Sequence, residues 1–132
     1  MNVKRFLIAA VAVFIVGQFL EYLLHGVFLR SLYESTQSIW RPDMMDKMWM
    51  FRLSGLITSF LLTYIFVKGY EGKGLGEGLR FGMVLGLFVS VPMALCTYAM
   101  IAIPPALAVG WFLGGFIGTV ILGLVLAAIY KK

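Results

Sequence analysis

The chain has 132 residues, of which 61% are hydrophobic, 15% aromatic and only 13% charged, with a formal net charge of +5. A soluble domain carries about 25% charged residues, so these charges are too few to coat a water-facing globule, while the apolar content is too high for a disordered chain. The solvent of this protein is therefore lipid. Its basic residues stand in short clusters at the ends of apolar runs, without interleaved aromatics, which sets membrane orientation and excludes a nucleic-acid surface.

A helix crosses a hydrocarbon core of about 30 Å with about 20 mostly apolar residues. The first such run, residues 6–29, has Glu21 and His25 as its only ionisable groups. Lys4 and Arg5 with the apolar stretch 6–17 have the outline of a signal peptide. The apolar pattern continues past Gln18 to Leu29, however, and no A-x-A-like site follows, so a retained helix is expected. An outer segment, residues 30–43, comes next, and from Ser31 to Lys47 its Leu32, Tyr33, Ile39 and Trp40 suit anchoring at the interface.

The second span is expected over 44–67. Asp43 is placed to cap it by accepting from first-turn amides, Arg52 interrupts it, and Lys68 with Gly69 closes it. A glycine-rich loop, 68–77, follows. It has the outline of a phosphate cradle, but no buried strand precedes it and the G-x-x-x-x-G-K-[ST] order is missing, so a flexible cytoplasmic turn is expected.

From Phe81 to Tyr130 there is no Asp, Glu, Lys, Arg or His. Ile103-Pro104-Pro105 is the only strong breaker in this stretch and divides it into spans at 78–103 and 106–130. Pro92 should kink the former. The expected fold is thus all-α: an integral membrane four-helix bundle forming one transmembrane domain over 1–132. With four crossings, Lys4, Arg5, Lys68, Lys73, Arg80, Lys131 and Lys132 share one face, against Arg30, Arg41, Lys47 and Arg52 on the other, which puts both termini in the cytoplasm.

Lipid tails are as apolar as leucine, so helices in a membrane associate through close backbone approach and polar contacts. Gly74, Gly78, Gly82 and Gly86 recur every fourth residue into the third helix, Gly110, Gly114 and Gly118 do so in the fourth, and Gly55 with Ser59 forms a small-x-x-x-small pair in the second. The expectation is glycine-zipper packing of the third and fourth helices, against a neighbour in the same chain or in a second protomer.

Glu21 and His25, four apart, share a face. At about 1.5 Å per residue, Glu21 lies roughly 8 Å beyond the bilayer midplane on the outer side. Arg52, Cys96, Tyr98 and Trp111 reach a similar depth, which makes one outer-leaflet polar layer. A charge there costs about 2.5–3.5 kcal/mol on insertion scales unless paired or wet, so a Glu21–Arg52 ion pair with His25 alongside is the simplest expectation; a ligand pocket or a proton relay are the functional ones. Glu21, His25 and Cys96, with Met44, Met45, Met48 and Met50 nearby, carry donors that suit Cu(I), yet paired-Cys or paired-His spacing is absent and no metal is assigned. The lone histidine excludes a haem held by two histidines, the lone Cys96 excludes an internal disulfide, and no cofactor is expected.

The layout resembles the small four-helix bacterial inner-membrane proteins of uncharacterised activity, whose third helix often opens with an acidic-Gly pair and spaced glycines, here Glu77-Gly78-Leu79-Arg80-Phe81-Gly82-Met83-Val84-Leu85-Gly86. The resemblance implies a bacterial inner-membrane location and supplies no activity. No Ser-His-Asp or Cys-His set and no paired catalytic carboxylates appear. The expected function is therefore a non-enzymatic structural or accessory subunit, associating with itself or with other membrane subunits. The alternative is a small transporter, channel or ligand carrier using the layer around Glu21, His25 and Arg52.

Overall fold

The structure, a computed structural model, describes residues 1–131; Lys132, one of the basic residues in the orientation argument, lies outside them. Helices are the only regular secondary structure among the described residues, without strands, and four helices are long and apolar enough to cross a membrane. α1 spans Val3–Leu23 and continues as a π turn over Leu24–Phe28, and a short α2 covers Arg30–Glu34. Two 3-10 turns, Gln37–Ile39 and Met44–Lys47, lead into α3 (Met48–Lys68), which is followed by α4 (Leu75–Met100) and α5 (Pro105–Ile129).

Local chemistry explains where these elements start and stop. α1 begins ahead of its apolar run because the Asn2 side chain accepts from the Arg5 amide at 3.1 Å, satisfying an otherwise unpaired first-turn donor. The expected cap by Asp43 does not form. Its carboxylate is occupied by the Arg41 guanidinium, at 3.0 Å and 3.3 Å, and by Lys47 at 3.5 Å. The Arg41 hydrogen bond holds the Asp43 carboxyl below its ordinary value, and α3 proper starts only at Met48 after a 3-10 turn. α4 runs without interruption through Pro92. It ends at Met100, short of the expected Ile103, where Ile101 turns extended; α5 then opens with Pro105, whose missing N–H has no partner to lose in a first turn.

α5 packs on α4 over most of its length and on α1, and α1 packs in turn on α3. The two glycine series serve different neighbours. Gly78, Gly82 and Gly86 face α5: a Cβ at Gly82 would meet Val120 Cα at 2.6 Å and the Thr119 carbonyl at 2.8 Å. Gly123 returns the approach, with Gly82 Cα 3.0 Å from where its Cβ would stand, so the two backbones touch. Gly110 and Gly114 instead receive the side chains of Leu29, just past the π turn, and Leu24, within it, with Leu20 of α1 opposite Gly118. Gly55 of α3 makes room for the Gln18 amide of α1.

The main apolar core joins Ala9 and Val13 of α1, Leu62 and Phe66 of α3, and Leu126, Ala127 and Tyr130 at the end of the chain. Phe66 meets Phe81 of α4 with ring centroids 5.2 Å apart. Both termini lie at this end, since the Asn2 amide donates to the Tyr130 hydroxyl at 3.3 Å and Arg5 Nη1 donates to the Ile129 carbonyl at 3.3 Å. A smaller cluster of Leu29, Ile103 and Leu107 closes the opposite end and supports Trp40, Tyr33 and Trp111.

Candidate functional site

Two polar clusters lie at opposite ends of the molecule. At the end opposite the termini, α1 loosens into the π turn, where the Leu29 amide reaches back to the Leu24 carbonyl at 2.9 Å. Such single wide turns recur at functional positions. The turn holds His25 with Nε2 3.0 Å from Glu21 Oε2 and Nδ1 2.5 Å from the Tyr33 hydroxyl. Trp111 Nε1 of α5 donates to that same hydroxyl at 2.6 Å.

An ionised Glu21 only accepts, so its partner Nε2 carries the proton. In the neutral ring Nδ1 is then the acceptor of the Tyr33 O–H. With Glu21 ionised and the ring neutral, the bonds run one way, from Trp111 through Tyr33 and His25 to Glu21. Burial holds the Tyr33 phenol above its ordinary value; the Trp111 hydrogen bond opposes this and the Glu21 charge adds a smaller upward push. Tyr33 accordingly stays a proton donor.

Aromatic and hydroxyl contacts lock the cluster to the intervening segment. Trp40 lies 5.6 Å from the Tyr33 ring and 6.0 Å from Trp111, and its Nε1 donates at 3.0 Å to Thr36, whose hydroxyl donates at 2.7 Å to the Leu32 carbonyl. Residues 30–43 are thus pinned to α1 and α5, with Tyr33 as the pin. Tyr33→Phe removes the acceptor of Trp111 and the donor to His25. An expected loss of about 1–3 kcal/mol follows from the groups left unpaired, with faster tryptic cleavage after Arg30. Unchanged cleavage would show that the pin holds nothing in place.

Of the residues singled out from the sequence, Glu21, His25 and Trp111 come together, the last through Tyr33. The expected Glu21–Arg52 ion pair does not form. Glu21 bonds His25 on its own helix, where one turn of separation suffices, and Arg52 is exposed on α3 without an ion pair among the described residues. Cys96 and Tyr98 are exposed on α4 and do not join the cluster. Among the described residues no three His, Cys, Asp or Glu side chains converge as metal ligands. Sequence reasoning missed the roles of Tyr33, Trp40 and Thr36. Their only signal was aromatic content in a polar segment, because a π turn leaves no periodic mark.

At the other end, the glycine-rich loop is tied down rather than loose. Glu77, 6% exposed in the first turn of α4, accepts from the Glu71 amide at 2.6 Å and the Lys73 amide at 2.9 Å. Gly72 and Gly74 adopt φ of 77° and 75°, a region that side-chain-bearing residues avoid. The amides that a phosphate-cradling loop would offer outward are thus bonded to an internal carboxylate. Glu71 pairs with Lys73 and, at 3.5 Å, with Arg80, and the Lys73 hydrogen bond keeps the Glu71 carboxyl below its ordinary value. Tyr70, Glu71, Gly72, Gly74, Ala127 and Lys131 line an open cleft of about 420 Å³ beside the loop.

Comparison with family models, with curated proteins and with solved structures found no match for this chain.

Proposed function

We propose that this chain is a non-enzymatic multi-pass subunit of a bacterial inner membrane, a four-helix transmembrane bundle with both termini cytoplasmic, that associates with itself or with a larger membrane complex. Glycine-zipper packing of α4 on α5 belongs to the interior of the subunit, because Gly78, Gly82 and Gly123 lie against one another in one chain. The orientation follows from Lys4, Arg5, Lys68, Lys73, Arg80 and Lys131, which outnumber the cations at the other end.

One observation carries the association. Two ionisable side chains within membrane-spanning helices, Glu21 and Arg52, are exposed on the surface of the chain; the Glu21 side chain is 64% exposed. Intramembrane ionisable groups face a protein interior, a wet cavity or a partner charge, since lipid exposure costs about 2.5–3.5 kcal/mol each on insertion scales. A neighbouring protein surface satisfies both. Extraction in a mild detergent followed by native mass spectrometry is expected to yield a stable oligomer or a complex with another membrane protein. A lone monomer overturns this reading.

A second reading, a small transporter or ligand carrier, draws on the same cluster: His25 and Glu21, with 38% and 64% side-chain exposure, form the accessible end of a hydrogen-bond chain that runs to Trp111. It requires Glu21→Gln to abolish binding or flux with the fold intact.

A further inference from the structure

The geometry points to a two-fold symmetric dimer of this chain, closed by two reciprocal ion pairs, Glu21 of each copy with Arg52 of the other. The inference rests on the subunit reading above and names its partner.

The register of α1 against α3 is set where the Gln18 side chain lies over Gly55. The two helices run antiparallel, so three residues further on α1 and three residues back on α3 lead to the same height. These residues are Glu21 and Arg52, each about 4.5 Å beyond the Gln18–Gly55 contact. They also lie on facing stripes. Glu21 continues the row of Phe14 and Gln18, and Arg52 continues the row of Gly55, Ser59 and Phe66, of which Ser59 and Phe66 are buried. Opposite charges on facing rows at one height would form an ion pair inside the chain if the seam were closed there. It is open: both side chains are exposed, Glu21 turns to His25, and Arg52 has no ion pair among the described residues.

Matched height is the condition that makes a second copy fit. A two-fold axis along the membrane normal preserves depth, so a group on one copy meets only groups at its own depth on the other. A two-fold contact is also self-complementary: if Glu21 meets Arg52, then Arg52 meets Glu21. The edge carries one acid and one base at the same level, so a single rotation neutralises all four charges. A partner of different sequence would have to present the mirrored pair independently.

The test uses the full chain under two affinity tags in phospholipid nanodiscs or mild detergent, with co-recovery of the second tag as the readout. Glu21→Arg alone sets two guanidinium groups against each other at both contacts, and Arg52→Glu alone sets two carboxylates against each other at both. Each is expected to lower co-recovery about tenfold or more, since like charges in contact cost more than one factor of ten. Mixing the two variants restores both pairs: the introduced arginine meets the introduced glutamate, and the remaining Glu21 meets the remaining Arg52. Co-recovery is then expected to return to the wild-type level. That rescue also shows that each variant is folded. Rescue by the doubly reversed chain E21R/R52E but not by the mixture would place the pair inside one chain and overturn the inference. Wild-type co-recovery from every variant would overturn it as well, while leaving the subunit reading standing. A wild-type chain that is monomeric and partnerless would remove the subunit reading itself.

Discussion

Replacing Gly82 with leucine is expected to unseat α4 from α5 and to cost at least the upper end of the about 1–3 kcal/mol typical of an overpacked interior. The reason is the kind of atom that the new side chain meets. Val120 Cα and the Thr119 carbonyl stand 2.6 Å and 2.8 Å from the first added carbon, and backbone has no rotamer through which to yield. The two helices must separate along the stretch where Gly78 and Gly123 also touch backbone. Gly114→Ala is expected to cost less, because Cδ1 and Cγ of Leu24, at 2.5 Å and 2.9 Å, belong to a side chain that can turn aside. Gly118→Ala, with Leu20 Cδ1 at 4.0 Å, is expected to change little. Unfolding in increasing SDS, together with cysteine cross-linking of α4 to α5, ranks the three. Equal stability for Gly82→Leu and Gly118→Ala would show that the close approach is not what joins these helices.

Glu77→Ala is expected to release the glycine-rich loop. Its carboxylate is the acceptor for the Glu71 and Lys73 amides, and an amide left without a partner costs about 1–3 kcal/mol unless the loop opens to water. Opening is the cheaper course, because residues 71–76 are exposed and can hand both amides to water. The readout is therefore tryptic cleavage after Lys68 and Lys73, expected to accelerate strongly while the apolar core around Phe66 and Tyr130 stays intact. Glu77→Gln keeps one acceptor oxygen and points an NH₂ group at the other amide, so it should fall between wild type and alanine. Cleavage unchanged by Glu77→Ala would mean that the loop is held by Glu71 and its cations instead.

Both effects trace to residues whose identity was plain in the sequence and whose partners were not. The every-fourth glycines announced close packing, and their spacing left the neighbour open. The structure gives the α4 series to α5 and the α5 series of Gly110, Gly114 and Gly118 to α1 and the residues that follow it, so the two rows do not face each other. A row of glycines describes the shape of one helix face, and shape becomes contact only when loop lengths and competing faces decide which helix lies there. Glu77 stood among glycines in a stretch that read as a loose turn. Its two backbone partners depend on how Gly72 and Gly74 bend the chain back, which propensity does not encode.

The polar cluster divides in the same way. Glu21 and His25 were legible as a pair because four residues on a helix return to one face. Trp111 was placed at their level by counting rise per residue. Arg52 was placed there too, and its bond to Glu21 does not form, since side chains at one level still need a closed seam to meet. Tyr33, the residue that links His25 to Trp111, became visible only with the π turn at Leu24–Phe28, which changes the direction of the chain just before it.

What the sequence determined alone was an all-helical chain with four helices long and apolar enough to cross a membrane. Each is a sum over many residues, apolar length set against bilayer thickness. What the tertiary structure decided was which glycine meets which helix, which amides Glu77 accepts from, and where the charge of Glu21 goes. Those include contacts between residues far apart in the chain, 98 positions for Leu20 and Gly118, and they are fixed by packing, in which a fraction of an ångström chooses between a bond and none.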